Sequence, residues 1–304
     1  MMTDTPQGKR RQSRPVHQVR ERCVVEIQGK LLTLKIEDSY HPPHSPAKRR
    51  PVSIFTESAR LRLLKFIARI DWKYYEKAVF ITLTYPDDKV LRRSVQRNKD
   101  RYLFWRYLET YLGRPACGLW RLEWKQRKSG TYRGIVLPHF HLLAFGVSWV
   151  PKEEVRRWWR TILNHEGNLS THVRGYDSGE NAAIYAAKYA AKNEALHTLD
   201  YHAHLNIEGR SYGYFRKAKI PLCKKLVLDG LRDREIQYLM RAAAERLPWV
   251  EPRGVEGFTL LGAYATQVAE NLQKISLDMG MAGCENVPQQ RGTQAAEREC
   301  HVAR

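Results

Sequence analysis

No stretch of this 304-residue chain approaches the roughly 18 consecutive apolar residues of a membrane-spanning helix. The first residues, Met1 to Arg11, lack the apolar segment of a secretory signal. Cysteine is sparse and unpatterned, since Cys23, Cys117, Cys223, Cys284 and Cys300 form no C-x-x-C pair. Scattered thiols of this kind exclude a disulfide framework or a cysteine zinc site and fit a reducing compartment. The chain is therefore expected in the cytoplasm, without a membrane partner. Negative charge is also short, with 32 acidic residues against 52 Lys and Arg and a net charge of +20. Such an excess disfavours a small-molecule metabolic enzyme and draws polyanions, nucleic acid first. No G-x-x-x-x-G-K-[S/T] phosphate loop is present, so nucleotide hydrolysis is not expected to drive the chemistry.

The length allows a full core in one large domain or two small ones. Residues 1–52 read as a basic, disordered arm rich in Arg, Lys, Pro and His, interrupted by one short strand-like run, Cys23-Val24-Val25-Glu26-Ile27. Order is expected from Thr56, which can cap a helix bearing Leu63, Leu64, Ile67 and Ile70 on one face. Strands are expected at 79–85, 119–126 and 139–145 and near 171–174 and 209–215. Helices are expected at 95–112, carrying Phe104, Leu108, Tyr111 and Leu112, and after Pro151, carrying Val155, Trp158, Trp159 and Ile162. Strand, helix, hairpin, helix, strand is the split βαβ order of an α+β fold, a central antiparallel sheet flanked by helices. The order gives a catalytic unit at 53–222 and an extension at 223–304, helical at first and then polar and disordered.

Three groups of residues carry chemistry. Residues 185–192 read Tyr-Ala-Ala-Lys-Tyr-Ala-Ala-Lys, which on a helix aligns Tyr185, Lys188, Tyr189 and Lys192 in one stripe among small alanines. A core-packing stripe would be aliphatic, whereas this one offers two phenols beside two ammonium groups. Upstream, His139-Phe140-His141 lies on an apolar strand, where residues two apart share a face. Two imidazoles fixed side by side suit two coordination positions of a metal. Glu123, on the preceding strand of the hairpin, is the candidate third ligand, with an ordinary ion pair to Arg121 or Lys125 as its plainer reading. A divalent metal, Mg2+ or Mn2+, on His139, His141 and Glu123 would polarise a DNA phosphate, and a tyrosine phenol would attack it. The products would be a 5′-phosphotyrosine and a free 3′-OH, with the bond energy conserved for rejoining.

These motifs resemble the two-tyrosine HUH endonucleases that initiate rolling-circle replication of small phages and plasmids. Phe80-Ile81-Thr82-Leu83-Thr84-Tyr85-Pro86 resembles the family's first strand, Pro138-His139-Phe140-His141-Leu142-Leu143 its metal motif, and Tyr185-x-x-Lys188-Tyr189-x-x-Lys192 its tyrosine motif, in the family's order. Trp120-Arg121-Leu122-Glu123-Trp124 is similar to the replication proteins of filamentous phages, although the turn between Glu123 and His139 is longer here. The resemblance covers about residues 53–220. It implies an HUH nuclease fold, RRM-like, with the metal site on one sheet face, and alternating roles for Tyr185 and Tyr189. Lys188 and Lys192 would contact the scissile phosphate or help activate the phenols. The implied partners are single-stranded DNA and a replication origin in a bacterial host's cytoplasm, with a host helicase or polymerase as further candidates.

Other readings stay open on the residues alone. An HUH transposase or plasmid relaxase shares the same site. A non-catalytic DNA-binding protein or a basic RNA-binding module would account for the charge, but not for a histidine pair and a tyrosine pair together. Two histidines and a carboxylate also describe a non-haem iron oxygenase, which the basic charge disfavours.

Overall fold

The computed structural model describes residues 22–37, 55–86, 89, 93–128, 133–134, 136–192, 210–246 and 257–277. Within them the chain runs β1 (Arg22–Gln28), β2 (Leu31–Glu37), α1 (Glu57–Arg69), β3 (Ala78–Thr84), α2 (Ser94–Leu112), β4 (Gly118–Gln126) and β5 (Val136–Phe145). It continues with α3 (Lys152–Leu163), β6 (Thr171–Tyr176), α4 (Gly179–Ala191), β7 (Tyr212–Phe215), β8 (Lys225–Leu228), α5 (Asp233–Arg246), β9 (Gly257–Leu261) and α6 (Ala263–Leu277). The fold is α+β, with two antiparallel sheets flanked by helices.

The larger sheet has the strand order β6-β3-β5-β4-β7, with every neighbouring pair antiparallel. β3 and β4 both run antiparallel to the strand between them, so they are parallel to each other and α2 makes the crossover. β5, α3 and β6 repeat the arrangement across β3. Two interlocked split βαβ units result, which is the RRM-like order expected from the sequence.

Alternation along the strands divides the side chains between two layers. Val79, Ile81, Leu83, Trp120, Leu122, Phe140 and Leu142 face α2 and α3, where Phe104, Leu108, Val155, Trp158 and Trp159 complete a dry core. Trp158 and Trp159 are thus core residues, as their place on the apolar stripe implies. On α2 the expected stripe shifts: Trp105 is buried with Phe104 and Leu108, while Tyr111 turns half outward. The helix stops at Gly113, whose φ of 64° is the left-handed cap that glycine adopts without strain.

α1 and α4 cover part of the opposite face. Thr56 caps α1 by accepting from the Ala59 amide at 3.2 Å, as its sequence position predicts. Leu63, Phe66, Ile67 and Ile70 are buried there with Phe80, Leu119, Leu143 and Phe145. α4 begins at Ser178, which accepts from the Asn181 amide. Its buried Ala182, Ala183, Ala186 and Ala190 let it lie close against α1 and the sheet. Gly179 makes the approach possible, because a Cβ there would fall 2.0 Å from the Trp72 carbonyl oxygen.

The termini depart from the expected organisation. Residues 22–37, placed in the basic arm, form the β1–β2 hairpin, and β8 and β9 join it in the order β8-β1-β2-β9. The extension therefore contributes strands as well as the expected helices. Val25, Leu32, Leu34 and Leu260 pack beneath Leu239, Ala243, Val268 and Leu272 of α5 and α6. β1 and β8 are about 200 residues apart in the chain, so no local pattern announces their pairing. The expected disordered tail beyond 277 and the arm before 22 lie outside the described residues.

Candidate active site

The site is built on the partly covered face of the larger sheet. Two polar rows cross three adjacent strands there. In one row Thr84 pairs with His139 and His139 with Glu123; in the next Thr82 pairs with His141 and His141 with Arg121. The following row, Phe80, Leu143 and Leu119, is apolar and lies under α1 and α4. Strand periodicity fixes which residues share this face, but only the register sets Glu123 directly opposite His139. The long turn between them does not shift that register.

The polar side chains are tightly coupled. His141 Nε2 lies 2.6 Å from Glu123 Oε2, and its Nδ1 lies 3.2 Å from the Thr82 hydroxyl. His139 Nδ1 is 2.8 Å from the Thr84 hydroxyl, and the two imidazoles are nearly parallel at 12°. Lys192 Nζ donates to Glu123 Oε1. Glu123 thus takes His141 and Lys192 as partners, and the plainer pairing with Arg121 or Lys125 does not occur. Burial acts to raise the Glu123 pKa, but hydrogen bonds to His141 and Lys192 outweigh it and bring the carboxyl to about 2. Burial, with the neighbouring His141, lowers His139 to about 4. Burial also lowers His141, against the pull of Glu123. At neutral pH the cluster is one carboxylate and two neutral imidazoles.

α4 sets the tyrosines over this cluster. The Tyr189 ring centroid lies 4.6 Å from that of His141 and 4.9 Å from that of Phe80. Tyr185 packs on Phe80 and Tyr176 and donates its hydroxyl to that of Tyr189 at 3.1 Å. Burial, followed by this hydrogen bond, raises the Tyr189 pKa above the ordinary phenol range. The two lysines separate. The helix ends at Ala191, and Lys192, the extended residue after it, turns to Glu123. Lys188 points instead into a cavity of about 520 Å³ lined also by Arg174, Tyr176, Asn181 and Tyr185. The expected four-residue stripe therefore divides between two sides of the helix end.

Three functional neighbours carry no sequence signal strong enough to single them out. Thr82 and Thr84 hold the histidine rings through Nδ1. Their T-x-T spacing on a strand matches H-x-H, but pairing the two motifs requires the register. Arg121, 3% exposed, donates through Nη1 to the Tyr189 carbonyl and through Nη2 to the Lys192 carbonyl at 2.8 Å. A cation bonded to the last carbonyls of a helix satisfies acceptors that otherwise lack partners. It joins the end of α4 to the strand that carries Glu123.

The donor set fits a divalent metal in its chemistry. It supplies two neutral imidazoles, each with Nδ1 fixed by a hydroxyl and Nε2 as the remaining donor, and one ionised carboxylate. As the side chains stand, Glu123 is hydrogen-bonded directly to His141. Among the described residues no group of three or more His, Cys, Asp or Glu is already spread for coordination.

Residues 78–194 match the family model of the ORF2-type replication-associated proteins. The matched span runs from β3 to just past α4, and so contains both split βαβ units, the His–Glu cluster and the tyrosine helix. β1, β2, β7, β8 and β9 fall outside it. No curated protein and no solved structure gives a match. Among the described residues no helix is long and apolar enough to cross a membrane.

Proposed function

We propose that this chain is a site-specific DNA nickase and strand transferase that starts rolling-circle replication of a small phage genome through a 5′-phosphotyrosine intermediate. The match to a replication-associated family supports a Rep-type role in DNA replication. The observation that carries the finer reading is the placement of Tyr189 and Tyr185 beside the His139–His141–Glu123 cluster on a strongly basic chain.

His139, His141 and Glu123 would hold a divalent metal, Mg2+ or Mn2+, which when bound supplies Lewis-acid polarisation of a phosphate oxygen. Lys192 holds the Glu123 carboxylate ionised and oriented. Thr82 and Thr84 fix the imidazole rings, and Arg121 ties the end of the tyrosine helix to the sheet. Tyr189, beside His141, attacks the phosphorus: its Oη–P bond forms, the P–O3′ bond breaks, and its proton leaves as O3′ takes one up. With its pKa raised, Tyr189 rests protonated, so the proton departs only as the phosphate arrives. Tyr185, in contact through its hydroxyl, is the second nucleophile for the regenerated junction. Lys188 and Arg174 on its far side offer cations to the DNA backbone.

Single-stranded DNA carrying the origin, incubated with Mg2+ or Mn2+, should give a protein–DNA adduct that survives denaturant. Tyr185→Phe combined with Tyr189→Phe should abolish it. An adduct of unchanged yield in the double variant would overturn the assignment.

A further inference from the structure

A second cavity, of about 690 Å³, opens beside the site at the His139 end. Its size lies within the roughly 300–1,000 Å³ range of small-ligand sites. Tyr85, Leu137 and Leu169, all buried, form an apolar floor, and His139 with Thr84 forms the wall toward the cluster. Lys125, Arg127 and Lys128, at the end of β4 and the start of the β4–β5 turn, supply the rim on one side. Asn168 and Ser170, from the segment before β6, face them. No acidic side chain is among the described residues that line it. An apolar floor, a cationic rim and a side-chain amide match the base, phosphate and base edge of a nucleotide.

Position relative to Tyr189 gives this cavity a direction. Along β5 the order is Leu143 under the helices, His141 beneath Tyr189, His139, and then the cavity. A phosphate at the His139–His141–Glu123 cluster therefore has Tyr189 toward one side and the cavity toward the other. In phosphoryl transfer the attacking and leaving oxygens lie roughly in line. With Tyr189 as attacker, the leaving O3′ faces the cavity. We infer that this cavity seats the nucleotide on the 5′ side of the scissile phosphate, and that it retains the strand ending in 3′-OH after the nick. This rests on the proposed nicking function. The covalent bond holds one new end, and the cavity holds the other without a bond, within reach of the reverse attack that rejoins them.

The test begins by mapping the nick from the adduct formed on single-stranded origin DNA. Two oligonucleotides are then titrated: one ending at the nick in a 3′-OH, the other beginning at it with a 5′-phosphate. Lys125→Ala with Lys128→Ala, and separately Ser170→Trp, which fills the cavity without altering charge, should each weaken the 3′-OH oligonucleotide about tenfold. Both should leave the 5′-phosphate oligonucleotide within about twofold, and a nicked complex should lose its 3′-OH fragment faster in a native gel. Equal weakening of both oligonucleotides, no weakening of either, or selective loss of the 5′-phosphate one would overturn the inference while leaving the nicking function intact. Failure to form an adduct on any DNA would overturn the function itself, and this inference with it.

Discussion

The two faces of the larger sheet are made by the same strands, residue by residue in alternation, yet they do opposite work. Toward α2 and α3, β5 presents Phe140, Leu142 and Ala144, all at or near zero exposure. Toward α4 the same strand presents His139 and His141, bonded to threonine hydroxyls and a carboxylate. The first face is stabilised by burial, which is non-directional and tolerates variation in the exact partners. The second depends on hydrogen bonds, whose polar atoms are costly to leave unpaired at that depth. Separation by a single residue lets the chain carry a reactive cluster without interrupting its core.

Changes on either face can break or sharpen that division. The largest effect should come from the dry face: Phe140→Ala should cost about 3–5 kcal/mol in urea unfolding by leaving a cavity. Adduct yield per folded molecule should stay near that of the wild type at low temperature, and its collapse in folded protein would show that the faces are coupled. Next comes His139→Ala, for which adduct formation should fall on the order of a hundredfold or more. Its thermal midpoint should move by only a few degrees, and an active His139→Ala protein would remove the imidazole from the chemistry. Thr84→Val should have a milder effect, lowering Mn2+ affinity roughly 10- to 100-fold in calorimetric titration by freeing the His139 ring. Unaltered affinity would make Thr84 a bystander.

Acid should give the gentlest separation. His139 ionises at about 4 in the folded chain against 6.5 ordinarily. Between those values the unfolded chain binds a proton that the folded one refuses, so stability falls as pH drops from about 6.5 toward 4. Glu123, held near 2 against an ordinary 4.5, adds a further loss from about pH 4.5 downward. Thermal midpoints should therefore decline below pH 6.5, and the decline should be shallower in His139→Gln. Identical slopes for the two proteins would assign the acid sensitivity elsewhere.

Much of the catalytic unit was legible because its signals are local. Thr56 before an apolar helix, Gly113 after one, Pro151 opening another and the β-branched run at 79–84 each appear where expected. The β1–β2 hairpin was only half legible. Its alternation is short and set among basic residues, and its stabilising partners, β8, β9, α5 and α6, come from the other end of the chain. The tyrosine motif was legible as a helix with alanines to bury. Lys192 escaped that pattern because the helix ends one residue before it, and Arg121 and Glu123 hold the chain that follows.

The sequence by itself determined the charge, the elements, and which residues share a face, since the periods of strand and helix are properties of the local backbone. Only the tertiary structure decided that Glu123 stands opposite His139, that Thr82 and Thr84 hold the histidine rings, that Tyr189 covers His141, and that Lys188 and Lys192 part company. Those relations are set by strand register and helix docking, which arise from contacts between distant segments and leave no trace in the spacing of any one of them.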